Sequence, residues 1–183
     1  ASEAALCGCD VYLISKVGDD PYGKFTKESL AEYNINTDFI YTANAKNTGI
    51  ITTMVNGEGE NAVCIYRGAN NSLMRDDIET AETAIAEADI CLIHGRLPSE
   101  TVAAAIRLAK VQGTAVILNP ARYIRRSGDE DMDLPIDYLS VDVLVANLYE
   151  AAQITEHSEA NIRSAKMIGS EIVARGIHTG GMD

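Results

Sequence analysis

Short apolar runs alternate with segments of helical spacing along the second half of the chain. The runs have the length and composition of strands buried on both faces, and they are residues 90–94, 115–118 and 141–145. Apolar residues recur three and four positions apart in residues 73–89, and helices are also predicted over residues 99–112, 148–155 and 160–174. This alternation predicts an α/β fold with a mostly parallel sheet and helices on both faces.

The helix predicted over residues 99–112 has recognisable ends. We expect Ser99 to cap it, because a side-chain oxygen can accept a bond from the first turn, and Gly113 to end it. Residues 122–133 are rich in charge and include Gly128, so they predict a loop.

The first half of the chain mixes strand and helix patterns. The predicted elements are a short helix over residues 2–7, a strand over 10–17, a turn over 18–23, a helix over 24–33 and a short strand over 39–41. Two runs of β-favouring residues, 50–55 and 62–66, then flank the polar hexapeptide NGEGEN. They predict a β-hairpin with a glycine-bearing turn, which continues into the segment RGAN without strand pattern.

Composition and charge narrow the class of protein. The 183 residues are 46% hydrophobic and 23% charged, as in soluble globular proteins. Fifteen Lys and Arg against 27 Asp and Glu give a formal net charge of −12, which disfavours nucleic acid as a partner. No apolar run approaches the roughly 20 residues that span a bilayer, so we expect no membrane partner.

The cysteines and histidines do not suggest a metal centre. Cys7 and Cys9 have C-x-C spacing, and Cys64 and Cys91 lie in apolar, strand-like runs. We interpret them as buried, reduced thiols of a cytoplasmic protein. The three histidines are far apart in sequence and have no zinc-ligand spacing.

The chemistry of such a sheet is expected where its strands end. Ligands of open parallel sheets bind beyond the carboxyl ends of the strands. Three segments occupy those positions, residues 94–98, 119–122 and 146–150. Candidate functional residues are therefore sought there and in the hairpin.

Five segments in order, KVGDDPYG, NGEGEN, RGANNSL, LNPAR and ANLYEA, resemble the ribokinase-like (PfkB) family of sugar and nucleoside kinases. Within that family the chain is most similar to the ribokinases. The resemblance implies an α/β core with a small β-sheet lid over the sugar. It places residues 1–33 and 71–183 in an incomplete core and residues 34–70 in the lid, with the strand at 39–41 beside the hairpin.

The resemblance also implies roles in the lid. By position, Ile51, Thr53 and Ile65 would close over the sugar, and strand alternation places Ile51 and Thr53 on one face of their strand. The alternative is that these residues only pack the lid or a dimer between two lids. An uncovered lid sheet would favour a homodimer.

A second implied site lies after the strand at 141–145. Asn147 and Glu150 match the family's N-x-x-E segment, which helps to organise Mg²⁺ and the nucleotide phosphates. Without the resemblance, N-x-x-E is a common pattern at helix starts. Asn119 is a further nucleotide-side candidate that could instead only hold its loop. ATP and Mg²⁺ are the implied cofactors, with a monovalent cation such as K⁺ as a further candidate.

The chain departs from the family at three places. The family's first strand, sugar-binding Asp and Gly-Gly segment would precede residue 1. Its catalytic segment D-T-x-G-A-G-D would follow Asp183, so no residue of this chain is predicted to be the base. Ribokinases usually carry a sugar-binding Glu where this chain has Arg96, and an Arg cannot accept hydrogen bonds. Arg96 could meet an anionic substrate or pair with a local carboxylate.

Three functions remain open at this point. The first is an ATP-dependent phosphotransferase acting on a primary hydroxyl of ribose or a similar sugar. The second is the same type of kinase with another acceptor, such as a nucleoside, a fructose-type sugar or a phosphorylated sugar. The third is a catalytically inactive fragment or binding module.

Overall fold

The structure is a computed structural model that describes residues 1–121, 136–157, 161–177 and 179–182. The helices are α1 (Ser2–Leu6), α2 (Pro21–Glu32), α3 (Arg75–Thr80), α4 (Glu82–Glu87), α5 (Ser99–Gln112), α6 (Leu148–Ile154) and α7 (Ile162–Ala174). The strands are β1 (Ser15–Gly18), β2 (Ile40–Ala43), β3 (Ile50–Val55), β4 (Asn61–Tyr66), β5 (Ile90–His94), β6 (Ala115–Asn119), β7 (Val143–Ala146) and β8 (Thr179–Met182). Short 3₁₀ helices occur at Gly68–Ser72 and Ile136–Leu139.

The chain forms two compact units, Ala1–Asp77 and Ile78–Asp183, which are described separately. The predicted α/β class is confirmed, since the four-stranded sheet and the β1–β2 pair are parallel and helices connect their strands. The predicted loop at 122–133 lies outside the described residues. No helix in the described part of the chain has the length and apolar character needed to cross a membrane.

In the first unit, β1 and β2 form a parallel pair with Ser15 opposite Ile40. Parallel strands need a crossover connection, and α2 provides it. The strand predicted over 10–17 is shorter in the structure, where β1 begins at Ser15. Before it, an isolated bridge pairs Tyr12 with Asn36. The prediction that residues 39–41 lie beside the hairpin is wrong, because β2 takes its backbone hydrogen bonds from β1.

The predicted hairpin is confirmed. Strands β3 and β4 pair antiparallel from Ile50 opposite Tyr66 to Val55 opposite Asn61. The Asn56 side-chain oxygen accepts hydrogen bonds from the backbone N–H groups of Glu58 and Glu60, so the turn is fixed by its own first residue. Every residue of both strands is exposed.

In the second unit, four parallel strands lie in the order β5-β6-β7-β8. Helix α5 connects β5 to β6 and ends at Gly113, as predicted. The core is formed by side chains that are less than 2% exposed, among them Val102, Ile106, Val116, Leu118 and Ile168. Burial of each such side chain contributes about 1.5–3 kcal/mol relative to leaving it in water.

Two local predictions for residues 73–112 are wrong, and one strand was not predicted. Residues 73–89 form two helices, because the chain turns at Ala81, whose N–H bonds to the Ile78 carbonyl three residues back. Ser99 is the first residue of α5, and the cap position belongs to Pro98, whose side chain offers no capping oxygen. Strand β8 follows from pairing with β7, although its sequence TGGM has weak strand propensity.

The predicted burial of β5 on both faces is also wrong. It is an edge strand of its sheet, and Ile90 and Leu92 are 56% and 69% exposed. Cys64 is likewise exposed, because it lies on the hairpin, and so are Cys7 and Cys9. Cys91 is the one thiol of the four that is partly buried, and burial raises its pKa to about 11.

Candidate active site at the carboxyl ends of the strands

The ends of β5 and β6 lie side by side. His94 is opposite Asn119 in the parallel register, and the Gly95 backbone N–H donates to the Asn119 carbonyl at 2.7 Å. Leu118 is opposite Leu144 on the other side of β6. Two of the three predicted strand-end segments are therefore in direct contact, and β7 brings the third to the same edge of the sheet.

Gly95 allows the two loops to approach closely. A Cβ atom at this position would clash with the Pro120 carbonyl oxygen and lie 2.7 Å from the Pro120 carbonyl carbon. Ala121, which is buried, has a φ of 47°, a conformation that residues other than glycine rarely adopt. Strained backbone of this kind is found preferentially at functional sites. It marks the segment that follows Asn119.

Asn147 and Glu150 cap helix α6 reciprocally. The Asn147 side-chain oxygen accepts from the Glu150 N–H at 2.9 Å, and Glu150 Oε2 accepts from the Asn147 N–H at 3.0 Å. This capping box satisfies two N–H groups of the helix start. Glu150 is 8% exposed, and the positive end of the helix stabilises its negative charge.

The side chains of Asn147 and Glu150 both present oxygen atoms, which are the ligands that Mg²⁺ prefers. Among the described residues, no group of three or more His, Cys, Asp or Glu could hold a metal ion. The pair therefore fits Mg²⁺ only as one carboxylate and one amide oxygen, with phosphate oxygens and water completing the shell. Mg²⁺ accepts such an arrangement.

His94 joins the predicted residues at this edge of the sheet. Its Nδ1 accepts from the Arg96 backbone N–H at 3.4 Å. Burial lowers the pKa of His94, the positive charge of Arg96 lowers it further, and the Glu150 carboxylate opposes both effects. The charges of Arg96, after β5, and Glu150, after β7, therefore both act on the His94 ring. The sequence reasoning did not select His94, although its place as the last residue of a strand was a usable signal.

The predicted lid residues share one face of the hairpin. Ile51 is opposite Ile65, and Thr53 is opposite Val63, and directly opposed residues of antiparallel strands point to the same side. The sequence predicted the two strands, whereas the structure supplies their register. These residues belong to the first unit and the strand-end residues to the second, so each group stands by itself.

The family model described as "pfkB family carbohydrate kinase" matches residues 1–179. The chain belongs to this family. The family predicted from the five ordered segments is therefore confirmed.

Curated relatives that match most of this chain include ribokinases. The ribokinase of Staphylococcus aureus (strain COL) is 32% identical over 181 residues, which are 98% of this chain and 57% of the relative. The ribokinase of Mus musculus is 28% identical and matches 95% of this chain and 52% of its own length. The chain thus spans little more than half the length of the curated relatives it matches.

Solved structures share the fold. The crystal structure of Sa239 superposes with a TM-score of 0.83 at 29% identity, over 97% of this chain and 56% of that one. The structure of Arabidopsis thaliana ribokinase complexed with ribose and ATP superposes with a TM-score of 0.80 at 22% identity, over 100% of this chain and 57% of that one. The second likeness concerns the fold alone.

The close approach at Gly95 gives a test of the strand-end geometry. Gly95→Ala is expected to lower the free energy of unfolding by about 1–3 kcal/mol, the usual cost of an extra methyl group in a packed site. Gly57→Ala is the matched control, because nothing lies within 4 Å of a Cβ atom there. Urea unfolding measures both. Equal stability of the two variants would contradict the described contact between Gly95 and Pro120.

Proposed function

We propose that the protein is an ATP-dependent kinase that transfers a phosphoryl group to a primary hydroxyl of ribose or a similar sugar. The observation that carries this proposal is the 32% identity to a ribokinase over 98% of the chain, together with the family match. The residues at the strand ends support it, because Asn119, Asn147 and Glu150 lie at the carboxyl ends of two neighbouring strands, and amide and carboxylate oxygens suit the Mg²⁺ of a nucleotide site.

Glu150 and Asn147 are the residues we assign to Mg²⁺ and its waters. When bound, the ion would neutralise charge on the nucleotide phosphates during transfer. The capping box holds both side chains in fixed orientations before any ligand binds, so little ordering is needed on binding. Asn119 is assigned to the nucleotide side, because it is the last residue of β6 and so lies at the same edge of the sheet as Asn147. We assign the catalytic base to no residue of this chain.

Ile51, Thr53 and Ile65 are assigned to the sugar. They form one face of the hairpin, with the Thr53 hydroxyl among apolar neighbours. A cover of this composition would keep water away from the reacting phosphoryl group, and a kinase must do so to avoid hydrolysing ATP.

Arg96 favours a second candidate acceptor. Among the residues that the structure describes, no carboxylate lies within ion-pair distance of its guanidinium, so the local-pair alternative has no support there. A guanidinium binds phosphate or carboxylate groups well. The alternative function is therefore phosphorylation of an acceptor that carries an anionic group.

A substrate panel tests the kinase assignment. ADP release from Mg-ATP is measured with ribose, fructose, a nucleoside and a sugar phosphate, and calorimetry follows Mg²⁺-dependent nucleotide binding. Stimulation by ribose supports the first candidate, and stimulation by the sugar phosphate alone supports the second. If no acceptor stimulates ADP release and no nucleotide binds, the proposal fails, and the hypothesis of a catalytically inactive fragment or binding module is favoured instead.

The same assays test the role of Glu150. Glu150→Gln should weaken Mg²⁺-dependent nucleotide binding by about 10–100-fold, the usual effect of altering the surroundings of a metal. Gln can still serve in a capping box, so the fold should remain. Val111→Ala, at a residue 80% exposed on α5, is the control. Unchanged binding by Glu150→Gln would remove this residue from the site.

We propose further that two copies associate through the hairpin. The face opposite the sugar-side residues carries Ile50, Met54 and Tyr66, all of them exposed. An apolar sheet face of this kind is costly to leave in water, and a second hairpin would cover it.

Neighbouring residues on β3 separate the two faces experimentally. Met54→Glu should convert a dimer to a monomer of 19.7 kDa in sedimentation velocity, because it places a charge in the proposed interface. Thr53→Glu, on the other face, should leave the dimer intact and weaken sugar binding. A wild-type chain that is monomeric at micromolar concentration would rule out this association.

A further inference from the structure

The hairpin is held at its base by contacts of the two segments that lead into and out of it. The strands themselves are exposed along their whole length, whereas Thr48, two residues before β3, is only 9% exposed. We call residues 46–49 the entering segment and residues 67–70 the leaving segment. The orientation of the hairpin depends on what fixes these two segments.

Asp20 fixes the entering segment. Its Oδ2 accepts from the Thr48 backbone N–H at 2.6 Å, and its Oδ1 accepts from the Thr48 hydroxyl at 2.7 Å. The same Oδ1 accepts from the Gly23 N–H at 2.8 Å and so caps helix α2. The Thr48 hydroxyl oxygen in turn accepts from the Gly18 N–H at 2.9 Å. One carboxylate therefore joins the end of β1, the start of α2 and the entering segment.

Close backbone packing surrounds this carboxylate. A Cβ atom at Gly18 would lie 2.5 Å from both the Lys46 carbonyl oxygen and the Thr48 nitrogen. The entering segment also holds the leaving segment, because the Ala69 N–H donates to the Asn47 carbonyl at 2.8 Å. Gly68, at a φ of 50°, leaves no room for a side chain beside that carbonyl. The two segments thus form one rigid base.

Helix capping alone does not account for Asp20. A cap needs one oxygen, and Ser or Asn would serve as well. The two bonds to Thr48 need a second acceptor oxygen on the same side chain, which only a carboxylate offers at this length. The hydrogen bonds, first that from the Thr48 N–H, also hold the pKa of Asp20 below its ordinary value.

We propose that Asp20, acting through Thr48, is a positioning residue that fixes the base of the hairpin and thereby sets the orientation of its sugar-side face. The fixing of the hairpin base concerns the chain alone. The orientation of the sugar-side face rests on the proposed function, because it requires that the hairpin contact the sugar.

Amide hydrogen exchange of the 183-residue chain tests whether Asp20, acting through Thr48, fixes the base of the hairpin. Asp20→Asn and Thr48→Val should each speed exchange at residues 47–55 and 61–70 by about tenfold, as expected for the loss of one or two hydrogen bonds. Exchange in α5 and β6 should not change. Asp19→Asn is the matched control, since Asp19 is exposed and is the immediate neighbour of Asp20.

Two further variants separate positioning from capping and from general destabilisation. Asp20→Ser keeps a capping oxygen for α2, and it should still speed exchange in the hairpin. Thr48→Ser keeps the hydroxyl, and it should restore near-wild-type exchange. The proposal is overturned if Asp20→Asn and Asp19→Asn give the same hairpin exchange, or if exchange rises equally throughout the chain.

Sugar binding, measured by calorimetry, tests whether the hairpin base orients the sugar-side face. Asp20→Asn should raise the Kd for the sugar severalfold and leave the Kd for Mg-ATP unchanged. Faster hairpin exchange with an unaltered sugar Kd would overturn the link to the sugar and leave the fixed hairpin base standing. Absence of sugar binding by the wild-type chain would count against the proposed function, and hydrogen exchange would then decide on Asp20 by itself.

Discussion

Parallel pairing of β5, β6 and β7 is the constraint on which the candidate site depends. Parallel strands all end at the same edge, so side chains that are distant in sequence meet there without any special loop. His94 and Asn119 are opposed by this register, and the bond from Gly95 to Asn119 extends it by one residue beyond the strand. A shift of one residue would turn each of these side chains to the other face of the sheet.

The strand-end residues serve structure and candidate chemistry together. Asn147 and Glu150 start α6 through their capping box, and that same arrangement holds a nearly buried carboxylate at the edge of the sheet. In the first unit, Asp20 likewise caps α2 and holds the base of the hairpin. In both places a helix start organises a charged group, because unsatisfied N–H groups at a helix start attract carboxylates.

The sequence predicted elements well where local patterns decide them. The hairpin, α5 with its end at Gly113, and the strands at 90–94 and 115–118 follow from apolar periodicity and turn residues. The family followed from five short segments in order. The assignments of individual residues to sugar, nucleotide and metal remain predictions, because they rest on resemblance and on side chains that also have structural roles.

Other features depend on contacts that no local pattern contains. Strand β2 pairs with β1, and α2 connects the two strands. The strand propensity of residues 39–41 would be the same beside β1 or beside the hairpin, so it cannot predict the partner. Exposure of Ile90 and Leu92 follows from the place of β5 at the edge of its sheet, which an apolar run cannot reveal. Thr48 and Asp20 are 28 residues apart, and their hydrogen bonds appear only in three dimensions.

Nuclear magnetic resonance of the isotope-labelled chain with Mn²⁺-ATP tests the strand-end site most directly, because the paramagnetic ion broadens nearby amide signals. We predict selective broadening at Asn119, Asn147 and Glu150, with Val111 unaffected. Mn²⁺ without ATP is the control, because a chain of net charge −12 attracts cations at many surface carboxylates. Equal broadening with and without ATP, or broadening that spares the strand ends, would contradict the assignment of this edge of the sheet to a metal and nucleotide.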